Sequence, residues 1–383
     1  MKNEIHRLGD YIREVDVRNK DLKVTNLLGV SINKSFIPSI ANLIGADLSN
    51  YKIIERKHFV YVPVTSRNGE KLSIALLNDC ENAIVSQAYT VFEIIDEEKL
   101  LPEYLMMWFK RPEFDRYARF HSHGSAREVF DWSEMCDVLL PIPSIEQQRE
   151  IVSEYETISK RIKLNEQIIK NLEVTAQTLY RKMFVEGIDK ENLPEGWRIG
   201  TIKEFCKQIT SGGTPNRSNN NYWNKKDYRW LKTGEVHNNI VLDTEEYISE
   251  EGLNNSSAKV IPKGSITFAM YCANGVTGGQ VAYLDCETTT NQACCNMICN
   301  SKLEAAYLFF YFINRQKEIK RLANGAAQEN LSQELIAQQQ IILIENKEQI
   351  SVFVPILDNL IVLYRENEKL IKLQSLLLAK MGQ

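Results

Sequence analysis

The feature that most constrains this chain is an internal repeat of roughly 200 residues, which has the size of a domain and not of a solenoid unit. Short sequences near the start, middle and end of the first half return in the same order in the second half. The matched segments are 8–12 with 202–206, 86–88 with 291–293, 104–109 with 307–312, 124–126 with 325–327, and 179–183 with 377–381. Each match is weak alone, but their common order predicts a duplicated architecture.

Each half ends in a segment whose apolar residues recur at spacings of three and four, as on one face of a paired helix. Ser144 is placed to cap the first helix, and Gly187 is placed to end it. This helix would span roughly 65 Å at 1.5 Å per residue. A second helix is predicted from about Asn346 to the last residue. The seam positions are Ile151, Tyr155, Ile158, Ile162, Ile169, Leu172, Ala176, Leu179 and Met183, and then Phe353, Ile356, Leu360, Leu363, Leu370, Leu377 and Met381.

One asparagine interrupts each seam, at Asn165 and at Asn367. Each lies near the middle of its helix, so an antiparallel pairing would bring the two amides together. A buried asparagine fixes the register of a coiled coil at a cost in stability. We predict that Asn165 and Asn367 meet and align the helices; the alternative is that one or both turn toward water.

The rest of each half mixes strand-like and helix-like segments. Residues 60–64 and 72–77 have the composition of strands, 260–268 is typical of a strand, turn and strand, and 101–109 and 303–313 are typical of helices. We predict an α+β protein in which two duplicated mixed α/β domains are separated by a long antiparallel two-helix coiled coil. The predicted limits are 1–143 for the first domain, 144–187 for the central helix, 188–343 for a linker and the second domain, and 344–383 for the C-terminal helix.

Charge and composition limit the class of function. The chain has 46 basic and 50 acidic residues, a net charge of −4, and no predicted domain has a basic excess. Proteins that coat nucleic acid usually have one, so any nucleic-acid surface must be one face of a domain. The sequence has neither a long apolar run nor the apolar core of a signal peptide, and its eight cysteines are too sparse for a disulfide scaffold. These features predict a cytoplasmic protein.

Motifs for catalysis and cofactor binding are missing from the sequence. It contains no GxxxxGK[ST] phosphate loop, no HExxH, and no Asn-Pro-Pro-aromatic run for a flipped base. His121 and His123 could form a metal pair, but no third ligand is near them in the sequence. The cysteines at 294, 295 and 299 fit burial in a strand better than a zinc site. We therefore predict no catalytic, metal or cofactor site in this chain.

Polar, turn-rich loops carry the remaining signal. The loop at 210–223 combines two glycines, which permit close approach of a partner, with Thr, Asn, Arg and Ser donors for phosphates and base edges. Comparable loops lie at 65–68 and 119–127 in the first half. Many surface loops have this composition, so the pattern alone is weak evidence for DNA binding.

Several short sequences together resemble the specificity subunits of type I restriction–modification systems. They are 193–197, Gly212–Pro215, Tyr222-Trp223, Trp230 and Asn291-Gln292 in the second half, Gly29–Ile32, Ala41–Lys52 and Ala88–Glu93 in the first, and Leu140–Pro143 with Glu146–Gln148 before the central helix. The likeness extends over essentially the whole chain. Two departures are the lack of a Gly-Gly-Thr-Pro loop in the first half and of a Pro-x-Pro turn before the second helix.

The resemblance implies that each mixed domain is a target-recognition domain for one half of a bipartite site on double-stranded DNA. It implies that the helix pair separates these domains and binds two methyltransferase subunits, that restriction/translocase subunits are further partners, and that no membrane is involved. The chain itself would be non-catalytic. S-adenosylmethionine, ATP and Mg²⁺ would be cofactors of the partner subunits and not of this chain.

With this assignment, the candidates for DNA contact are polar, charged or small residues of the loops. In the first domain they are Arg56, Lys57, Ser66, Arg67, His121, Ser125 and Arg127, and in the second they are Gly213, Thr214, Asn216, Arg217, Lys232, Tyr271 and Asn274.

Two other classes of protein remain as alternatives. A coiled-coil adaptor that assembles proteins would have the same long seams, but it has no need of duplicated, loop-rich domains. A DNA-binding regulator that acts alone depends on neutralising phosphates, which near-neutral domains disfavour. We expect weak, salt-sensitive DNA binding by the isolated chain and tight binding only in the assembly.

Overall fold

The computed structural model describes residues 4–39, 47–66, 71–124, 127–271, 278–322 and 330–382. The chain forms two compact units. Unit 1 consists of Met1–Ile162 and Leu370–Gln383, and unit 2 consists of Lys163–Lys369. Each unit thus contains one mixed domain and part of each long helix, so its limits differ from the domain limits predicted above.

Unit 1 is built on an antiparallel sheet that packs against helices. Its strands are β1 (Ile5–Arg7), β2 (Ile12–Glu14), β3 (Leu28–Val30), β4 (Phe36–Pro38), β5 (Lys52–Glu55), β6 (Phe59–Tyr61), β7 (Ile74–Leu76), β8 (Asn82–Val85), β9 (Thr90–Ile94) and β10 (Leu139–Pro141). Its helices are α1 (Pro102–Phe109), α2 (Pro112–Phe120), α3 (Trp132–Cys136) and the first part of α4 (Ile145–Phe184). The main sheet has the order β2-β9-β6-β7, and β10 pairs with β1, which returns the end of the domain to its start.

Aromatic side chains form the core of unit 1. Phe59 and Phe92, on neighbouring strands, are stacked with their ring centroids 4.8 Å apart, and Phe109 of α1 meets both edge-on. Pro102 and Pro112 lie in the first turns of α1 and α2. A missing N–H costs nothing there, because that group has no partner inside a helix.

Unit 2 has a five-stranded sheet and a smaller three-stranded one. Its strands are β11 (Trp197–Thr201), β12 (Gln208–Ser211), β13 (Tyr228–Leu231), β14 (Asn239–Val241), β15 (Glu246–Ile248), β16 (Ile266–Ala269), β17 (Val281–Leu284), β18 (Thr289–Thr290), β19 (Cys294–Ile298) and β20 (Gln340–Ile344). Its helices are the rest of α4, α5 (Ile202–Phe205), α6 (Glu250–Asn254), α7 (Lys302–Lys320), α8 (Gln333–Ala337) and most of α9 (Phe353–Lys380). The sheets have the orders β12-β19-β16-β17-β14 and β15-β13-β18, and β20 pairs with β11.

The two units repeat the same framework. The order β12-β19-β16-β17 in unit 2 corresponds to β2-β9-β6-β7 in unit 1. The repeated Tyr-Leu segments also have equivalent roles. Tyr104 donates its hydroxyl to the carbonyl of Pro141, and Tyr307 donates to the carbonyl of Ile342, both at 3.1 Å. The duplication predicted from short sequence matches is therefore present in the fold.

The first long helix begins and ends near the predicted residues. The hydroxyl of Ser144 accepts a hydrogen bond from the N–H of Gln147 at 3.4 Å, one turn into α4. Beyond its last turn, Gly187 has a φ of 73°, a left-handed conformation that glycine adopts without strain. All predicted seam residues of α4 and α9 are buried or half-buried, whereas the neighbouring Leu164 and Val174 are exposed.

The second long helix begins later than predicted. It starts at Phe353 and not near Asn346, because the Asn346 side chain caps a separate short turn at Lys347–Ile350. Pro355 also requires a start close before it, since proline fits the first turn of a helix but not its interior. No helix in the described ranges combines the length and the apolar character needed to cross a membrane.

Candidate nucleic-acid interface

In unit 2, the loop that follows β12 is tied to two tryptophans. Trp230 of β13 is buried and donates its indole N–H to the carbonyl of Gly213 at 2.9 Å. Trp223 donates its indole N–H to the carbonyl of Asn216 at 3.1 Å. The two rings meet at right angles with their centroids 5.0 Å apart. The loop backbone is thus held at two points by one aromatic pair.

The two glycines of this loop pack closely against the protein's own chain. A Cβ at Gly212 would lie 2.0 Å from the carbonyl oxygen of Thr290, and one at Gly213 would lie 2.3 Å from the hydroxyl of Ser257. Gly213 is buried, and its N–H donates to the carbonyl of Thr290 at 2.8 Å. The close approach that requires glycine here is to the protein's own chain, and contact of Gly213 with DNA stays a prediction.

Arg217 is held over both tryptophans. Its guanidinium carbon lies 3.7 Å from the ring centroid of Trp223 and 4.5 Å from that of Trp230. The same guanidinium forms an ion pair with Glu246, and the side chain remains 49% exposed. Stacking and the ion pair therefore fix a planar donor while part of it stays open to solvent. A planar guanidinium matches the geometry of phosphate and of guanine base edges.

Lys232 joins this cluster through acidic neighbours. Its ammonium lies 2.9 Å from carboxylate oxygens of both Glu245 and Glu246, and the hydrogen bonds that it donates to them raise the pKa of Lys232. Burial acts to raise the pKa of Glu246, but hydrogen bonds from Arg217 and Lys232 outweigh it and leave that pKa lowered. The carboxylate is therefore ionised at neutral pH and sits between two cations.

The structure groups Thr214 and Asn216 with this cluster. Thr214 donates its hydroxyl to the side chain of Gln292, and the Asn216 side chain accepts from the N–H of Ser218 at 3.0 Å, which closes a turn. Tyr271 is exposed and forms a backbone bridge with Asn330 outside the cluster. The predicted residue Asn274 lies outside the described residues.

Glu246 is a functional candidate that the sequence did not reveal. No motif marks it, and an acidic residue is unexpected on a DNA-facing surface. Pairing of β13 with β15 places Glu246 directly opposite Trp230. The signal is therefore in the strand register, which the sequence alone does not specify.

In unit 1, His121 lies just after α2 and is oriented by two neighbours. Its ring stacks on Tyr117 with the centroids 4.2 Å apart, and its Nδ1 lies 2.7 Å from a carboxylate oxygen of Glu134. His123 lies 3.9 Å from the other carboxylate oxygen. Within the described ranges, no three His, Cys, Asp or Glu side chains are grouped as metal ligands. The His121 side chain remains 31% exposed.

Ser66 and Arg127 lie on adjoining segments of unit 1. The N–H of Thr65 donates to the carbonyl of Glu128 at 3.0 Å, which joins the two segments. Ser66 and Arg127 are both exposed, and Arg127 has no ion pair within the part of the chain that the structure describes. A Cβ at Gly124 would lie 2.1 Å from the carbonyl oxygen of Arg127, so this turn requires glycine.

Arg56 and Lys57 lie before β6, whereas Ser66 follows it. Arg56 forms an ion pair with Glu81 at 2.7 Å, and Lys57 forms one with Glu97. The structure therefore places these two cations at the other end of β6 from the segment that carries Ser66. Two further predicted residues of this domain, Arg67 and Ser125, lie outside the described residues.

Asn165 and Asn367 meet in unit 2. The Asn165 side-chain N–H donates to the side-chain oxygen of Asn367 at 2.8 Å. Farther along the helices, Tyr180 contacts Phe353 with the ring centroids 6.2 Å apart, so α4 and α9 run antiparallel in this unit. The effect of the asparagine pair on helix alignment stays a prediction.

Comparison of the sequence with known proteins identifies relatives of both halves. The profile of the type I restriction modification DNA specificity domain matches residues 15–174 and 194–374. The chain is 23% identical to the type I restriction enzyme HindI specificity subunit of Haemophilus influenzae, and the alignment covers 98% of each protein. It is 25% identical to the EcoR124I/EcoR124II specificity subunit of Escherichia coli over 35% of this chain and 32% of that protein.

A solved structure shares the fold of the whole chain. The S subunit of a type I restriction–modification system from M. genitalium superposes with a TM-score of 0.60 at 12% identity, and the match covers 99% of this chain and 96% of that one. The two profile matches together span most of the sequence, and one lies in each half of the chain. The chain therefore belongs to the type I restriction modification DNA specificity family, with one specificity domain in each half.

Proposed function

We propose that this chain is the DNA-reading subunit of a type I restriction–modification complex, and that each mixed domain reads one half of a bipartite, asymmetric site. The observation that carries this proposal is the contrast within the repeat. Both units keep the same sheet order and the same tyrosine hydrogen bond, while their loops differ in contacts and charge. Each mismatched base pair costs about 1–3 kcal/mol, so two short readers on one chain multiply discrimination.

The second domain would read its half-site with the tryptophan-held cluster. Arg217 supplies a fixed planar donor, and Lys232 supplies a second cation beside the shared Glu246. In the first domain, His121, Ser66 and Arg127 border the corresponding loops. Because the two sets of side chains differ, the two half-sites should differ in sequence.

The helix pair would set the spacer between the half-sites and dock two methyltransferase subunits. The buried seams and the contact between Asn165 and Asn367 support an antiparallel coiled coil. Apolar side chains exposed on α9, such as Leu373 and Leu376, supply surface for a partner.

In this arrangement the chain is non-catalytic. Adenine methylation with S-adenosylmethionine, and cleavage with ATP and Mg²⁺, are properties of the methyltransferase and restriction/translocase subunits.

Mapping of methylated adenines across the genome tests the proposal. The map is compared between cells with and without this gene, in the presence of the partner genes. Deletion should remove one bipartite motif with two different half-sites and leave other motifs in place. An unchanged methylome contradicts the proposal for this system.

Shortening the helix pair tests the spacer. Removal of 166–172 from α4 together with the facing 360–366 from α9 keeps both seams in phase and keeps Asn165 and Asn367. Seven residues at 1.5 Å each correspond to about 10 Å, or roughly three base pairs of DNA. The methylated motif should lose about that much spacer and keep both half-sites. An unaltered spacer, or altered half-site bases, would contradict the assignment.

A further inference from the structure

A basic cleft lies in unit 1 beside the break between α1 and α2. The cavity has a volume of about 960 Å³. The exposed side chains of Ile32 and Phe120 lie on its rim. Five cations and one carboxylate line the cleft, and these charged residues are Lys34, Lys71, Lys110, Asp115, Arg116 and Arg119. Of these, Arg116 also forms an ion pair with Glu113 at 3.2 Å.

The one carboxylate of the cleft is already committed to an internal contact. Lys34 is buried, and its ammonium lies 2.7 Å from Asp115 and also donates to the carbonyl of Phe109. Asp115 accepts a further hydrogen bond from the N–H of Leu72 at 3.1 Å. This pair ties the turn between β3 and β4 to α2. The charge of Asp115 is therefore largely balanced by Lys34, and Asp115 does not neutralise the other cations.

Two lysines of the cleft have no carboxylate partner among the described residues. The Lys110 ammonium lies 5.1 Å from the ring centroid of Tyr155, and Lys71 is exposed. Burial lowers the pKa of Lys34 against the effect of Asp115, and repulsion from Lys71 and Lys110 lowers it further. The cleft walls also lower the pKa of Lys110 by burial, although the residue as a whole is exposed. A bound anion would relieve this repulsion.

The chemistry of the cleft favours a phosphate group. Lysine binds phosphate as a point charge and does not need the planar geometry that base recognition uses. The cleft is also continuous in the chain with the candidate recognition loop, because α2 ends at Phe120 and His121 follows directly. We propose that this cleft holds a backbone phosphate of the DNA bound by unit 1. This site rests on the function proposed above, and it adds a contribution to DNA affinity that does not depend on sequence.

The test uses the assembled methyltransferase complex with the double variant Lys71→Gln, Lys110→Gln. Neither change leaves a carboxylate without its partner, so the fold of unit 1 should persist, which thermal unfolding checks. DNA affinity is measured from 50 to 200 mM salt on the cognate duplex and on duplexes altered in one half-site. The matched control is Lys20→Gln, Lys380→Gln, which removes the same charge from exposed lysines that lie outside the cleft and have no carboxylate partner in the part of the chain that the structure describes.

The variant should bind all duplexes more weakly and with a smaller salt dependence. Each neutralised phosphate adds about 0.9 to the slope of log affinity against log salt, so loss of the one phosphate contact should lower the slope by about 1. The loss of affinity relative to the wild type should therefore shrink by about three- to fourfold between 50 and 200 mM salt. The ratio between cognate and altered duplexes should stay the same, since phosphates carry no sequence information. The control variant should keep the wild-type slope.

Three results would overturn the inference. An unchanged slope in a folded variant shows that the cleft does not contact DNA. Loss of methyltransferase binding without a change in slope assigns the cleft to an acidic partner segment. Calorimetric binding of inorganic phosphate that the variant loses, again with an unchanged slope, marks a site for small anions. The wild-type complex is measured before the variants. If it fails to distinguish cognate from altered duplexes, that result contradicts the proposed function itself.

Discussion

Residues 102–120 of unit 1 and 302–320 of unit 2 have equal lengths, yet the first forms two helices and the second forms one. Pro112 cannot lie inside a continuous helix, because it lacks an N–H and its ring clashes with the preceding turn. In unit 1, Lys34 donates instead to the carbonyl of Phe109 at the end of α1. The carbonyl at the end of α1 thus accepts from Lys34, which lies in the turn between β3 and β4.

The unbroken α7 of unit 2 carries a run of buried aromatic residues, including Phe309, Phe310 and Phe312. The two units nevertheless keep the hydrogen bond from a helix tyrosine to the last strand, made by Tyr104 in one and Tyr307 in the other. The comparison shows which contacts maintain the framework of a duplicated domain. Surface segments vary around it, and this produced a lysine-rich cleft in unit 1 and a tryptophan-held arginine in unit 2.

Replacement of Trp230 by Ala should have the largest effect, and only in unit 2. Trp230 is buried, bonds the carbonyl of Gly213 and supports Arg217. Loss of a buried tryptophan side chain costs about 3–5 kcal/mol in free energy of unfolding. Hydrogen exchange measured by mass spectrometry should show reduced protection in unit 2 and unchanged protection in unit 1. An equal loss of protection in both units would contradict the view that each unit is stabilised by its own framework.

Replacement of Gly213 by Ala should have an intermediate effect. The new Cβ would lie 2.3 Å from the Ser257 hydroxyl and 2.5 Å from the backbone nitrogen of Ala258. Overpacking of this kind costs about 1–3 kcal/mol. Gly234→Ala is the matched control, because no atom lies within 4 Å of a Cβ there. Chemical denaturation compares the free energies of unfolding of the two variants. Equal values would show that the loop adjusts to the added Cβ at little cost and that packing does not require this glycine.

Replacement of Pro112 by Ala should have the smallest effect. Alanine restores the missing N–H, but the Phe109 carbonyl still accepts from Lys34 and the Lys34–Asp115 pair still holds the turn. We expect a change of less than about 1 kcal/mol, and the break between α1 and α2 should persist. Hydrogen exchange across 109–113 measures it. Strong new protection there would mean that proline alone separates the two helices.

The sequence predicted the features that depend on local periodicity. The three-and-four spacing placed Tyr155 and Leu360 on the correct faces of the two long helices, and the match of Tyr104 with Tyr307 indicated duplication. Features that depend on long-range pairing were not accessible. The role of Gly213 depends on Ser257, and the basic cleft unites Lys34 with Lys110, so only the fold brings these residues together.

The measurement that most directly tests the central claim uses Arg217→Glu and Arg127→Glu in the assembled complex. Binding is measured on a panel of duplexes in which each half-site of the mapped motif is altered in turn, after intact assembly has been verified. The account predicts that Arg217→Glu abolishes discrimination at one half-site only and that Arg127→Glu does so at the other. Equal loss at both half-sites, or loss at the same half-site in both variants, would contradict it.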